Sequence, residues 1–246
     1  MILATSLHTR HGGDDWEIRP ERAVFRARDA TLLVTDLHLG KSDHFRSAGI
    51  PVPDATDADT LGRLDALCRA VGARRLMILG DLFHNRGGVT PGLIAKLAAF
   101  REAWPTLEVV NVRGNHDRKA GDPPASLGIE CLDGPVADPG GGVAYAHEPA
   151  EGLAEPEPGG CAGGGRPGFC GHLHPAVVMK TGRDRMRMPC FLFRGNTALL
   201  PAFGAFTGNH PIRPRSGDRV YAVGPGRVAD VSAAVTPRSV PARAAD

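Results

Sequence analysis

At 246 residues, with 42% hydrophobic and 23% charged residues, the chain has the size and composition of one globular domain with a sizeable core. Its formal net charge of +2 is too small to argue nucleic-acid binding from bulk charge. Five scattered cysteines, odd in number and without a C-x-x-C pair, exclude a disulfide framework and fit a reducing compartment.

The first fifteen residues have no apolar stretch of signal-peptide length, and no run approaches a membrane span, so a cytoplasmic location without membrane contact is expected. Residues 24–27 and 31–35 are short apolar runs separated by Arg28-Asp29-Ala30, and they read as a hairpin or paired strands. From Leu61, apolar residues recur at Leu64, Leu67, Cys68 and Val71 with helical spacing, and Gly72 stops the run. Residues 75–79 are a buried-strand candidate ending on Gly80-Asp81. Thr90-Pro91 supplies an N-cap and a proline at the first helical position, followed by Leu93, Ile94, Leu97 and Phe100 on one face. Residues 107–112 form the next strand and end on Arg113-Gly114-Asn115-His116-Asp117. Strands and helices alternating at this length imply βαβ units, whose ligands gather beyond the carboxyl ends of the strands.

After about residue 129 the pattern turns mainly to strands, around Ile129 and over 143–146, 176–179, 191–193 and 219–223. Residues 151–168 are rich in Gly and Pro with little to bury, which predicts a flexible loop. Gly163-Gly164-Gly165 within it lacks the G-x-x-x-x-G-K-[ST] pattern of a phosphate loop. Cys161 and Cys170 flank this stretch and could pair or bind metal, but a pair of loop thiols is more often neither, so no role is assigned to them. Residues 232–246 read as a loose tail, leaving one domain over residues 1–231 and no internal repeat.

Five strand-like runs end directly on His, Asp or Asn. These ends are Asp36-Leu37-His38, Gly80-Asp81, Gly114-Asn115-His116-Asp117, His147, and Gly171-His172-Leu173-His174. Hard oxygen donors and imidazoles gathered this way, with no cysteine, suit a two-metal phosphoester hydrolase. Asp36 and His38, two apart in an extended chain, present both groups to one side, as do His172 and His174. Taken alone, D-x-H is as readily a capping Asp beside a surface His, and G-N-H-D is also a favourable turn sequence. Gly80 lets backbone and metal approach closely before Asp81. Asn115 would ligate through a neutral carbonyl, adding no negative charge against an anionic substrate.

The five ends in this order resemble the calcineurin-like metallophosphoesterases. The resemblance implies an α/β (α+β) fold: a two-sheet β-sandwich flanked by helices, four layers α/β/β/α, with the metals at one sheet edge. It implies two divalent metal ions, Mn²⁺ before Fe or Zn²⁺. Asp36, His38, Asp81 and His174 would hold one ion, and Asp81, Asn115, His147 and His172 the other. The two ions would hold a bridging hydroxide in line with the P–O bond that breaks. His116 would sit over the substrate and donate a hydrogen bond or proton, with Asp117 orienting it. His84, Arg86 and Arg113, with Lys41 and Arg46, are the candidates for contacting substrate phosphates. Arg183, Arg185 and Arg187 alternate along one strand, and a phosphate-facing row and a charged strand edge fit them equally.

Within that superfamily the chain is most similar to the bacterial ligase-associated DNA-damage-response endonucleases, the PdeM family. The match extends to Asp36-Leu37-His38-Leu39-Gly40-Lys41, Gly80-Asp81-Leu82-Phe83-His84, His147-Glu148-Pro149, Gly171-His172-Leu173-His174-Pro175 and residues 200–208. That family implies a phosphodiesterase or endonuclease acting on DNA beside a DNA ligase and helicase. Two other readings stand against it. One is a phosphoesterase of nucleotides or nucleotide-sugar diphosphates; the other is a scaffold without catalysis, which typically loses ligands that are all present here. The low aromatic content, 5%, argues against a base-stacking platform for single strands.

Overall fold

The computed structural model describes residues 5–47, 49–50, 52, 56–149, 165–181 and 184–235. The chain opens with a hairpin that the sequence reading missed, β1 (Leu7–His11) and β2 (Asp14–Arg19). Then come β3 (Ala23–Arg26), β4 (Thr31–Val34), α1 (Lys41–Ser47), α2 (Thr56–Val71), β5 (Arg75–Ile78), α3 (Pro91–Ala103), β6 (Glu108–Val112), the single turn α4 (Asp117–Ala120) and β7 (Ile129–Leu132). The seven strands form one sheet in chain order. It is antiparallel from β1 to β4 and parallel from β4 to β7.

The second sheet is built from β8 (Val136–Ala137), β9 (Ala144–Tyr145), β10 (Gly168–Cys170), β11 (Pro175–Thr181), β12 (Asp184–Arg194), β13 (Thr197–Leu199), β14 (His210–Pro211), β15 (Arg219–Gly224) and β16 (Arg227–Asp230). Its path runs β14-β11-β12-β13-β10-β9-β8, with β15 also on β12 and β16 beyond β15. A last helical turn, α5, spans Ser232–Val235.

Period-two alternation sorts the strands into layers. In β4 and β5, Leu32, Val34, Leu76 and Ile78 pack under α2 and α3, while Leu33 and Met77 point the other way, into the space between the sheets. From the second sheet, Phe191, Phe193, Tyr221 and Val223 fill that same space, and Cys190, Leu192, Val220 and Ala222 face outward. The molecule is therefore a two-sheet sandwich flanked by helices. The outer side is the thinner one: part-buried Leu173, Ile212, Val231 and Val235 of loops and α5 cover it.

α3 starts as its sequence dictates, with Thr90 Oγ1 accepting from Leu93 N at 3.2 Å ahead of Pro91. α2 stops at Gly72, which takes a left-handed φ of 62°. It starts five residues before Leu61, because Asp57 turns inward and accepts from Gly40 N at 3.0 Å. Two boundaries differ from expectation. Ser232–Val235 is helical rather than tail, because Val231 and Val235 have apolar surface to cover, and residues 236–246 lie outside the described residues. Gly168 begins β10 rather than ending a loop, while the 151–164 part of that loop lies outside the described residues. No helix among the described residues is long and apolar enough to cross a membrane.

Candidate metal centre

The strand ends converge because their loops are stitched together through the main chain. Asp36 N donates to Gly80 O at 3.0 Å and His38 N to Asp81 O at 2.9 Å, so the loops after β4 and β5 run side by side. Gly171 N donates to His147 O at 3.0 Å, and His172 N to Asp36 Oδ2 at 3.1 Å, which ties the second sheet to the first. Among the described residues seven non-glycine residues have positive φ, and five are Asp36, His38, Asp81, His172 and His174, at 46° to 67°. Such backbone costs about 1–3 kcal/mol per residue and persists only where the surroundings impose it. Here it turns each side chain back toward one point.

All seven sequence-assigned ligands meet there. His174 Nε2 lies 3.1 Å from Asp36 Oδ1, and His38 Nε2 lies 3.9 Å from Asp36 Oδ1 and 3.8 Å from Asp81 Oδ2. On the other side, His147 Nε2 lies 3.4 Å from Asp81 Oδ2, 3.1 Å from Asn115 Oδ1 and 3.2 Å from His172 Nδ1. His147 Nδ1 donates to Leu79 O at 2.9 Å, since a carbonyl can only accept, and this aims the Nε2 lone pair at those three atoms. Several trios are close enough to hold a metal ion: Asp36, His38 and His174; Asp36, Asp81 and His147; His147, Glu148 and His172; and His38, His84 and His116.

The electrostatics fit a cation. Asp36 is fully buried, and its Oδ1 has no hydrogen bond of good geometry. Burial opposes its charge, yet His174, His147 and His38 hold its carboxyl down at about 2. Burial also opposes a charged His147, but its hydrogen bond to Asp81 and the field of Asp36 push its pKa up to about 9. His38 is driven down to about 3 by burial, against the pull of Asp36 and Asp81. The two buried carboxylates thus draw a proton onto a neighbouring imidazole, His147 above all, and a bound cation would take over that neutralising role. Such a donor set, hard oxygens and imidazoles without thiolate, could hold metal ions of the Mn²⁺, Fe or Zn²⁺ type.

Glycines make the convergence possible, though for a different reason than the sequence reading gave. A Cβ on Gly80 would overlap the His147 ring, and one on Gly114 would overlap Asp81 Oδ1. The space they leave admits other ligands rather than the metal itself.

Three sequence expectations need correction. Asp117 does not touch the His116 ring; its buried carboxylate accepts from Phe83 N at 3.1 Å, Gly114 N at 3.0 Å and Asn111 Nδ2 at 3.1 Å. It anchors the G-N-H-D turn, and the His84 carbonyl, 2.5 Å from His116 Nδ1, orients the imidazole. Arg113 is turned away onto acidic partners, bidentate on Asp122 at 2.6 and 2.8 Å and 3.2 Å from Asp133. Arg46 is paired with Asp43. Arg86 is exposed on the turn Arg86–Gly88, and His84 and Lys41 line the rim next to His116 and Phe206.

Arg185 and Arg187 are exposed on the arm of β12 that pairs with β11, and Arg183 lies outside the described residues. The sequence reading missed Glu148 beside His147 and His172, although the His147-Glu148 pair was the available signal. It also missed the ring contacts of Phe45 with His84 and Phe206, which no local pattern announces.

No protein-family model matches the chain, and neither does any curated protein. Among solved structures it is similar to the crystal structure of Pseudomonas putida nuclease MPE, with 38% sequence identity and a TM-score of 0.74. The match covers 89% of this chain and 98% of that one. At that identity over nearly the whole of both chains, this protein belongs to the family of the Pseudomonas putida nuclease.

Proposed function

We propose that the protein is a two-metal phosphodiesterase of the calcineurin-like type that cleaves DNA, and that it belongs to the ligase-associated endonuclease branch. The observation that carries this reading is the meeting of Asp36, His38, Asp81, Asn115, His147, His172 and His174 around Asp36 Oδ1 and His147 Nε2. The relationship to a nuclease supports a nucleic-acid substrate. Asp36, His38, Asp81 and His174 would hold one divalent ion, and Asp81, Asn115, His147 and His172 the other, Mn²⁺ fitting this set. When bound, the ions supply Lewis acidity toward the phosphate and make water acidic enough to attack at neutral pH.

The chain's own residues do the rest. Asp81 accepts from His116 N at 2.9 Å while offering its other oxygen to the metal pocket, so one carboxylate sets both. His84 O holds His116 Nδ1, leaving Nε2 as the nitrogen available to the substrate. As a water oxygen bonds to phosphorus and releases its proton to solvent, the P–O bond to the leaving alcohol breaks and His116 gives its Nε2 proton to the departing oxygen. Action beside a DNA ligase and helicase, in the cytoplasm, belongs to the same proposal.

The test compares Mn²⁺-loaded protein on single-stranded DNA, duplex DNA and a mononucleotide panel, with Asp81→Asn alongside. DNA strands are expected to be incised, and Asp81→Asn to lose both incision and most Mn²⁺ uptake in calorimetry. Activity confined to mononucleotides would overturn the nuclease reading, and an undiminished Asp81→Asn would overturn the metal scheme.

A further inference from the structure

Next to the metal pocket, rings continue outward in one run. The His84 ring stacks on His116 with centroids 5.0 Å apart and 22° between planes. Phe45 of α1 also stacks on His84 at 6.2 Å and 25°, and Phe206 meets Phe45 edge-on at 5.9 Å. Lys41 Nζ lies 5.4 Å from the centre of the Phe206 ring. Burial alone shifts the Lys41 pKa, downward, and among the described residues no carboxylate pairs with it.

Phe206 is 43% exposed and Ile50, bonded through its main chain to Phe45 O, is 48% exposed. These are two of the four large exposed hydrophobics among the described residues. At 43% exposed, Phe206 leaves a large apolar area in water, so packing alone does not account for its position. Both rings are held by the loops that carry the ligands. Gly40, beside α1, and Gly88 press backbone to backbone, which fixes α1 against the loop of His84. Phe203 N and Gly204 N donate to Thr35 O and Asp36 O at 2.8 and 3.1 Å, and Thr207 Oγ1 closes the turn onto Gly204 O at 3.0 Å. Phe206 is thus an exposed ring on an anchored turn.

We propose that Phe206, braced edge-on by Phe45, is a shelf on which an unpaired base of the bound strand stacks, with Lys41 on its phosphate. This deepens the nuclease reading and rests on it. Ring-to-ring steps of 5.0, 6.2 and 5.9 Å lead from His116 to Phe206, a span that a strand of a few nucleotides covers from a phosphate facing His116. A base inside a duplex is already stacked on both faces and cannot use the shelf, so the shelf favours single strands. Low aromatic content is no objection, because two of the nine phenylalanines stand where stacking would occur.

The test measures binding in a His116→Ala background with Mn²⁺, using a short thymidine strand carrying one 2-aminopurine and a matched strand lacking bases. Stacking quenches 2-aminopurine emission on binding. Adding Phe206→Ala is expected to weaken the base-bearing strand about 10-fold and restore emission, to leave the base-free strand unchanged, and to be reversed by Phe206→Trp. Equal affinity of Phe206→Ala for the base-bearing strand, equal weakening on the base-free strand, or no quenching by the parent overturns the shelf. Failure of the nuclease reading shows separately, as absent strand incision by the unsubstituted protein.

Discussion

The His116 imidazole donates through Nδ1 to the main-chain carbonyl of His84 at 2.5 Å, and the His84 ring lies flat against it with centroids 5.0 Å apart. One residue thus supports His116 twice, through an oxygen that every substitution keeps and a ring that substitution removes. His116→Ala should lower kcat on an aryl phosphodiester with Mn²⁺ by about 10²–10³-fold, the usual size of a lost proton donor. His84→Ala keeps the carbonyl and should cost about 10-fold or less. Steady-state rates of the two variants check this, and a larger loss in His84→Ala than in His116→Ala would mean that the His84 ring itself handles the proton.

Asp117 gives a contrasting expectation, because its carboxylate holds backbone rather than the His116 ring. Asp117→Ala would strand the N–H of Phe83, the N–H of Gly114 and the Asn111 amide in a buried space. Each unsatisfied buried donor costs about 1–3 kcal/mol, so urea denaturation should show a loss of roughly 3 kcal/mol or more. Asp117→Asn keeps an acceptor oxygen and should retain most of the stability and at least a tenth of kcat. If Asp117→Asn instead matched His116→Ala in rate while folding normally, the carboxylate would have a part in the chemistry.

The convergence of the candidate metal-site residues was legible in sequence because they follow strand ends, and a strand end in an α/β sheet has a known destination. Asp36, Asp81 and Asn115 follow β4, β5 and β6, three parallel neighbours, so order along the chain became adjacency in space. What orients the ligands was not legible. The left-handed φ of Asp36, His38, Asp81, His172 and His174 is imposed by loop pairing, and nothing in an Asp or His codes for it. Arg113 failed as a phosphate contact because its partners, Asp122 and Asp133, come from segments whose approach depends on the fold. Asp117 failed as the orienting partner of His116 for the same reason: Phe83 lies 34 positions away. The β1–β2 hairpin was missed because only alternate residues face the core, Trp16 and Ile18 fully buried between charged neighbours.

That hairpin carries a titration that reads the fold independently of any metal. His11 is 4% exposed, Nε2 donates to Gly168 O at 3.1 Å, and the rings of Phe169 and Phe193 meet it edge-on at 5.0 and 5.4 Å. Burial lowers its pKa from 6.5 to about 4, against the favourable Gly168 carbonyl and with help from the positive charge of Arg219. Because the folded value is the lower one, the unfolded chain binds the extra proton between those two pH values. Stability therefore falls as pH drops from about 6.5 toward 4 and levels off below, by at most roughly 3 kcal/mol from this group. His11→Gln keeps an N–H for Gly168 O and removes the titration. Urea denaturation at pH 7 and pH 5 should show a smaller drop in His11→Gln than in the parent, the remaining slope coming from His38 and His84, which burial also holds down. Identical drops in both proteins would mean that His11 keeps an ordinary pKa beneath the second sheet.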